Sequence, residues 1–169
     1  MKKTIFITGA TSGIGKATAE VFAKQGHRLI ICGRRKEVLD NLQIQLSNFT
    51  DVYSLVFDVR NQQEVQNAIN SLPEDWKNID VLVNNAGNAH GLEPISDANI
   101  SDWDAMMDGN VKGLLYVSQP IIKLMKANNS GHIVNISSVA ARQTYANGTV
   151  YRKKKKAVDV ISEGMRLEL

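Results

Sequence analysis

The chain has 169 residues, 43% of them hydrophobic and 22% charged, with a formal net charge of +3. These values suit one soluble domain with a sizeable core, and the mild charge gives no nucleic-acid footprint. The single Cys32 excludes an internal disulfide and suits a reducing cytoplasm, and no apolar run has the length of a membrane span or marks a signal peptide.

Ile5, Phe6 and Ile7 form the short apolar run that a strand buried on both faces requires, and residues 16–24 read as a helix. Gly9, Gly13 and Gly15 lie between them, spaced Gly-x-x-x-Gly-x-Gly. Strand, glycine turn and helix together make a phosphate cradle. The glycines let the backbone approach an anion, and the free N–H groups of the helix's first turn attract it. A plain turn is the alternative. A mononucleotide P-loop fails twice, because Ala10 stands where its first glycine belongs and Ala17 replaces the Ser or Thr that would hold magnesium.

Gly26 suits a helix C-cap, and residues 28–31 make a second buried strand with Cys32 at its end as a buried structural thiol. Val38, Leu39, Leu42 and Leu46 then recur at helical spacing. Residues 52–57 are a third strand ended by Asp58. Asn61 with Glu64 has the pattern of a capping box for a helix carrying Val65, Ala68 and Ile69. Residues 80–83 are a fourth strand. Residues 101–128 are mostly helical, with Gly109, Gly113 and Pro120 marking bends or joints. A fifth strand covers 132–136, and a last helix starts at 150. This alternation predicts an α/β fold, a single-domain, doubly wound parallel sheet of Rossmann type with right-handed crossovers. Its ligand should lie beyond the carboxyl ends of the strands, where the winding reverses.

The strand ends carry the chemistry. Arg34 and Arg35 follow the second strand, where an NAD site would offer an acid to the ribose 2′-hydroxyl. Guanidinium groups suit a 2′-phosphate instead, and cations at a helix start need something to compensate them, so NADP is favoured over NAD. Ser137 and Ser138 end the fifth strand. Tyr151 and Lys155, four apart, share one face of the last helix. Reducing a ketone by hydride transfer leaves an alkoxide that must be protonated, and an unaided phenol near pKa 10 is a reluctant base in the reverse direction. An ammonium about 5.5 Å away, at an effective dielectric near 20, stabilises phenolate by roughly 3 kcal/mol. Ser138 would hydrogen-bond the carbonyl oxygen and orient it.

Thr8-Gly9-x-x-x-Gly13-x-Gly15, Asn84-Asn85-Ala86-Gly87 and the trio Ser138, Tyr151 and Lys155 together resemble the short-chain dehydrogenases/reductases, and the resemblance covers the whole chain. It implies that Gly9, Thr11, Ser12, Gly13, Ile14 and Gly15 hold the cofactor with Asn85, Ala86 and Gly87. Asp58 and Val59 would hold the adenine edge, although Asp58 also suits a plain helix start. Asn110 would help hold the lysine and a water, where an Asn beside Gly109 is otherwise a local helix break. Tyr151 and Lys155 would serve both catalysis and cofactor binding. No metal is implied. Within the family, residues 33–35, 71–76 and 78–80 look like the NADP-dependent 3-hydroxy acid dehydrogenases that oxidise serine, allo-threonine and similar acids.

Residues 152–156 are all basic where that family carries small residues, and at about 100° per residue they point all round the helix. The expected protein is an NADP-dependent oxidoreductase acting on a small 3-hydroxy acid or its carbonyl form, cytoplasmic, and a homo-oligomer (a tetramer by resemblance). It would bind neither nucleic acid nor membrane. A carbonyl or 3-oxoacyl reductase, or a catalytically silent NADP-binding protein, are the alternatives. Residues 1–169 read as a dinucleotide-binding domain lacking its C-terminal strands. Its fifth strand would be an apolar edge at Ile133, Val134 and Ile136, so the polypeptide is expected to continue past Leu169 with at least one more strand.

Overall fold

Thr4–Ile7 (β1) is buried along its whole length and lies at the centre of a five-stranded sheet. The computed structural model describes residues 2–89, 94, 96–141 and 149–169, and of residues 140 and 149–152 the backbone alone. Arg28–Gly33 (β2), Val52–Val56 (β3), Val81–Asn84 (β4) and His132–Asn135 (β5) complete a sheet of order β3-β2-β1-β4-β5, every pair parallel. The chain winds outward from β1 through β2 to β3, then crosses to β4 and β5 on the other side. The winding therefore reverses between β1 and β4, as expected of this fold.

Helices Gly13–Lys24 (α1), Lys36–Leu46 (α2), Gln62–Asn70 (α3), Ile100–Met107 (α4), Gly113–Ala127 (α5) and Thr149–Glu168 (α6) link or follow the strands. The strand period of two divides the core into two layers. Ile5, Ile7, Leu29 and Ile31 pack with Ala19 and Ala23 of α1 and Leu39, Leu42 and Leu46 of α2. Phe6, Ile30, Cys32 and Leu82 pack on the opposite face with Val65 and Ile69 of α3 and Val117, Ile121 and Met125 of α5. Burial pushes the Cys32 thiol well above its ordinary pKa, which leaves it inert.

Two local expectations change. Asn61 does cap α3, accepting from the backbone N–H of Gln63 and Glu64. Glu64 reaches past it, however, and accepts from the Asp58 N–H at 3.0 Å, because the Asn61 N–H already donates to the Asp58 carbonyl. Asp58 therefore starts no helix. The long helical segment is jointed at a π-turn, Asp108–Lys112, and not at Pro120, which α5 carries within its length. Gly113 opens α5 because a β-carbon there would come within 2.8 Å of the Val59 side chain.

Candidate functional site

Thr8 binds the two central strand ends together. Its hydroxyl oxygen accepts from the backbone N–H of Asn85 at 3.0 Å and of Ala86 at 2.9 Å. Asn85 returns the contact, its amide donating to the carbonyls of Thr8 and Gly9. Gly9 has a left-handed φ of +64°, and a β-carbon there would sit 2.9 Å from the Ala86 Cα. A side chain at Gly15 would strike the Gly9 carbonyl and Asn85. Gly15 thus lets α1 close onto the turn, and it does not itself line the cleft above it. Gly9, Thr11, Ser12, Gly13 and Ile14 do line that cleft, as do Asn85, Ala86 and Gly87. Ser12 is the N-cap of α1 but makes no side-chain hydrogen bond there, and no acid occupies the first turn. The first-turn N–H groups thus have no side-chain cap where an anion would meet them.

At one end of the cleft stand Arg34, Arg35, Asp58 and Val59. Arg35 donates to the Thr11 hydroxyl at 3.1 Å, and Arg34 lies 3.6 Å from Asp58 with its side chain 63% exposed. Asp58 pairs with Arg34 only beyond hydrogen-bond distance, so the cations at this helix start are compensated in part. Burial disfavours the charged Asp58, but the hydrogen bonds and charge of Arg60, with Arg34 beyond, outweigh it and hold the carboxyl below its ordinary pKa. Arg60 has no motif to mark it in the sequence; its only signal is its place two residues after Asp58.

The other end is built from the segment after β4, the π-turn, the end of β5 and α6. Asn110 is buried, and its amide donates to the Asn88 carbonyl (3.1 Å), the Asn88 side chain (2.8 Å) and the Met106 carbonyl (2.9 Å). Asn110 therefore combines both readings, lying in a helix break and on the cleft wall. Lys155 also faces the cleft, its ammonium donating to the Ile136 carbonyl at 2.8 Å. Burial lowers its pKa, with Asp159 partly opposing. Asp159 in turn accepts from the Ser137 hydroxyl at 2.6 Å. Ser137 lines the cleft, whereas Ser138 is half-buried beside it. Tyr151 lies in α6, and its side chain is outside the described residues. The basic run does point all round its helix: Lys153 and Lys156 are exposed, Lys155 is half-buried and Lys154 is fully buried. Lys154, which the sequence does not single out within that run, donates to the same Asn88 carbonyl that Asn110 uses.

The cleft encloses ≈ 500 Å³ over the point where the winding reverses. The profile of the short chain dehydrogenases matches residues 3–169. The chain belongs to the short-chain dehydrogenases. It is 42% identical over 165 residues to the NADP-dependent 3-hydroxy acid dehydrogenase YdfG of Escherichia coli K12, covering 98% of this chain and 66% of that protein. It is 39% identical over 170 residues to sulfoacetaldehyde reductase 2 of Chromohalobacter salexigens, covering 100% of this chain and 68% of that one. The closed form of serine dehydrogenase complexed with NADP+ superposes with a TM-score of 0.93 at 42% identity, over 98% of this chain and 66% of that one. This short-chain dehydrogenase sequence thus spans 66% of the length of the first of those relatives. The glycine cradle, the α1 N-terminus without a side-chain cap and the two guanidiniums fit a dinucleotide. Among the described residues, no group of three or more His, Cys, Asp or Glu could hold a metal ion, and no helix is long and apolar enough to cross a membrane.

Proposed function

We propose that the protein is an NADP-dependent short-chain dehydrogenase that moves a hydride between NADP(H) and a small 3-hydroxy acid or its carbonyl form. The observation that carries this reading is the pair Arg34 and Arg35 at one end of a cleft whose other end holds Asn110 and Lys155. The 42% identity to a 3-hydroxy acid dehydrogenase supports the substrate class.

Gly9, Thr11, Ser12, Gly13 and Ile14 hold the pyrophosphate, with Gly15 allowing the close packing beneath it. Arg34 and Arg35 bind the 2′-phosphate, Asp58 and Val59 the adenine edge, and Asn85, Ala86 and Gly87 the far ribose side. Bound NADP(H) supplies or accepts the hydride. Tyr151 gives its phenolic proton to the carbonyl oxygen during reduction and takes it back from the hydroxyl during oxidation. Lys155 stabilises the phenolate by its charge, Ser138 donates to the carbonyl oxygen, and Asn110 fixes the wall behind Lys155. Residues 1–169 form one dinucleotide-binding domain, and the protein acts as a homo-oligomer in the cytoplasm, where the buried single cysteine is at home.

The deciding experiment is a panel of small 3-hydroxy acids and of their carbonyl forms assayed with NADP(H) and NAD(H). Turnover with NADP(H) and a clear preference over NAD(H) are expected. Replacing both Arg34 and Arg35 by Ala should erase most of that preference. Equal use of the two cofactors by the unaltered protein would refute the reading.

A further inference from the structure

The carboxylate of Asp58 presents a difficulty for the cofactor reading. An acid beside Arg34 is the wrong charge to set near a 2′-phosphate, and it could engage the guanidinium meant for that phosphate. The structure shows what restrains it. Arg60 Nε lies 3.1 Å from Oδ1 and 3.0 Å from Oδ2 of Asp58, and its Nη2 lies 2.6 Å from Oδ2. The Arg60 backbone N–H donates to Oδ1 as well, at 3.0 Å. A carboxylate accepts about four hydrogen bonds, and a fork of this kind fills most of that capacity. Arg34 is left at 3.6 Å, an ion pair outside hydrogen-bond reach, on an exposed and adaptable side chain. The joint effect is visible in both partners. Asp58 is held below its ordinary pKa despite partial burial, and its hydrogen bond and charge raise Arg60.

We propose that Arg60 is a specificity-determining positioning residue, which captures the Asp58 carboxylate and so leaves Arg34 available to a 2′-phosphate. The inference rests on the NADP reading above, but it assigns a role to a residue outside the phosphate cradle. Without Arg60, Asp58 would turn to Arg34 as its remaining cation. It would then occupy that guanidinium and expose an unneutralised charge near the phosphate. Both changes penalise NADP and leave NAD, which lacks the phosphate, nearly untouched.

The test is equilibrium binding of NADPH and NADH, followed by cofactor fluorescence, so that turnover does not enter. Arg60→Met should lower the ratio of NADPH to NADH affinity by about 10-fold, the scale of one charged hydrogen bond. Adding Asp58→Asn should restore most of the ratio, because the harm acts through that carboxylate. Any weakening at the adenine edge caused by Asp58→Asn cancels in the ratio, since both cofactors carry the same adenine. Arg60→Lys, which keeps the charge and folding but not the fork, should fall between. An unchanged ratio in Arg60→Met would overturn the proposal. So would a lowered ratio that Asp58→Asn fails to restore, since Arg60 would then touch the phosphate itself. If Arg60→Met does not fold, the Arg60→Lys ratio decides alone, and no change there overturns it. Equal affinities in the unaltered protein would instead overturn the NADP reading beneath.

Discussion

The proposed mechanism gives Tyr151 and Lys155 different jobs, and substitution should separate them. Tyr151→Phe removes only the ionisable hydroxyl and should abolish turnover, by at least about 100-fold, with cofactor affinity nearly intact. Lys155→Ala should damage both, since its ammonium faces the cleft from the Ile136 carbonyl. Single-turnover kinetics beside NADPH titration read the two effects, and substantial activity in Tyr151→Phe would refute the assignment. Residues whose signal is their own chemistry, such as Arg34, Arg35 and the glycines, are legible in the sequence. Residues that work through a partner are not. The Asn88 carbonyl accepts from two side chains, and nothing in an isolated asparagine predicts that. Arg60 likewise becomes informative only through its fork on Asp58.

At the scale of elements, hydrophobic period and glycine punctuation mark all five strands and their helices to within a few residues. The sheet order is legible only in outline, as a doubly wound sheet, because pairing depends on crossovers that no local pattern records. The joint between α4 and α5 is visible in the sequence as two glycines, but its form is not. It depends on the amide of Asn110, which donates to Asn88 and, one turn back, to the Met106 carbonyl. Asn110→Ala removes those hydrogen bonds from a buried site and should cost roughly 2 kcal/mol. The thermal midpoint should then fall by about 4–8 °C. A midpoint within a degree of the parent would show that the joint holds by packing alone.

For the whole molecule, Lys154 makes stability depend on pH in an unusual range. Burial, and then the charge of Lys155, bring its pKa from 10.5 down to about 8. The unfolded chain therefore binds more protons between those values, and stability rises as pH increases through the window. Below pH 8 the penalty for burying the charge is present in full. Lys154→Met should flatten the rise between about pH 8 and 10.5, measured as denaturation midpoints of both proteins at matched pH. Parallel profiles would refute this. The π-turn has a consequence of another kind. Asp108–Lys112 amounts to a helix carrying one residue too many. Deleting Val111 would let α4 and α5 fuse into a single regular rod with a uniform i→i−4 ladder, at no loss of helical content. The wider turn spends about one residue more per revolution than an α-turn, so the stretches on either side of the deletion would keep nearly the same phase. The buried face of α5 would still meet the sheet, and what would be lost is the widened turn that sets the Asn110 amide on Asn88. The surplus residue acts as slack, freeing one side chain for the cleft wall without re-aiming the half of the fold that follows.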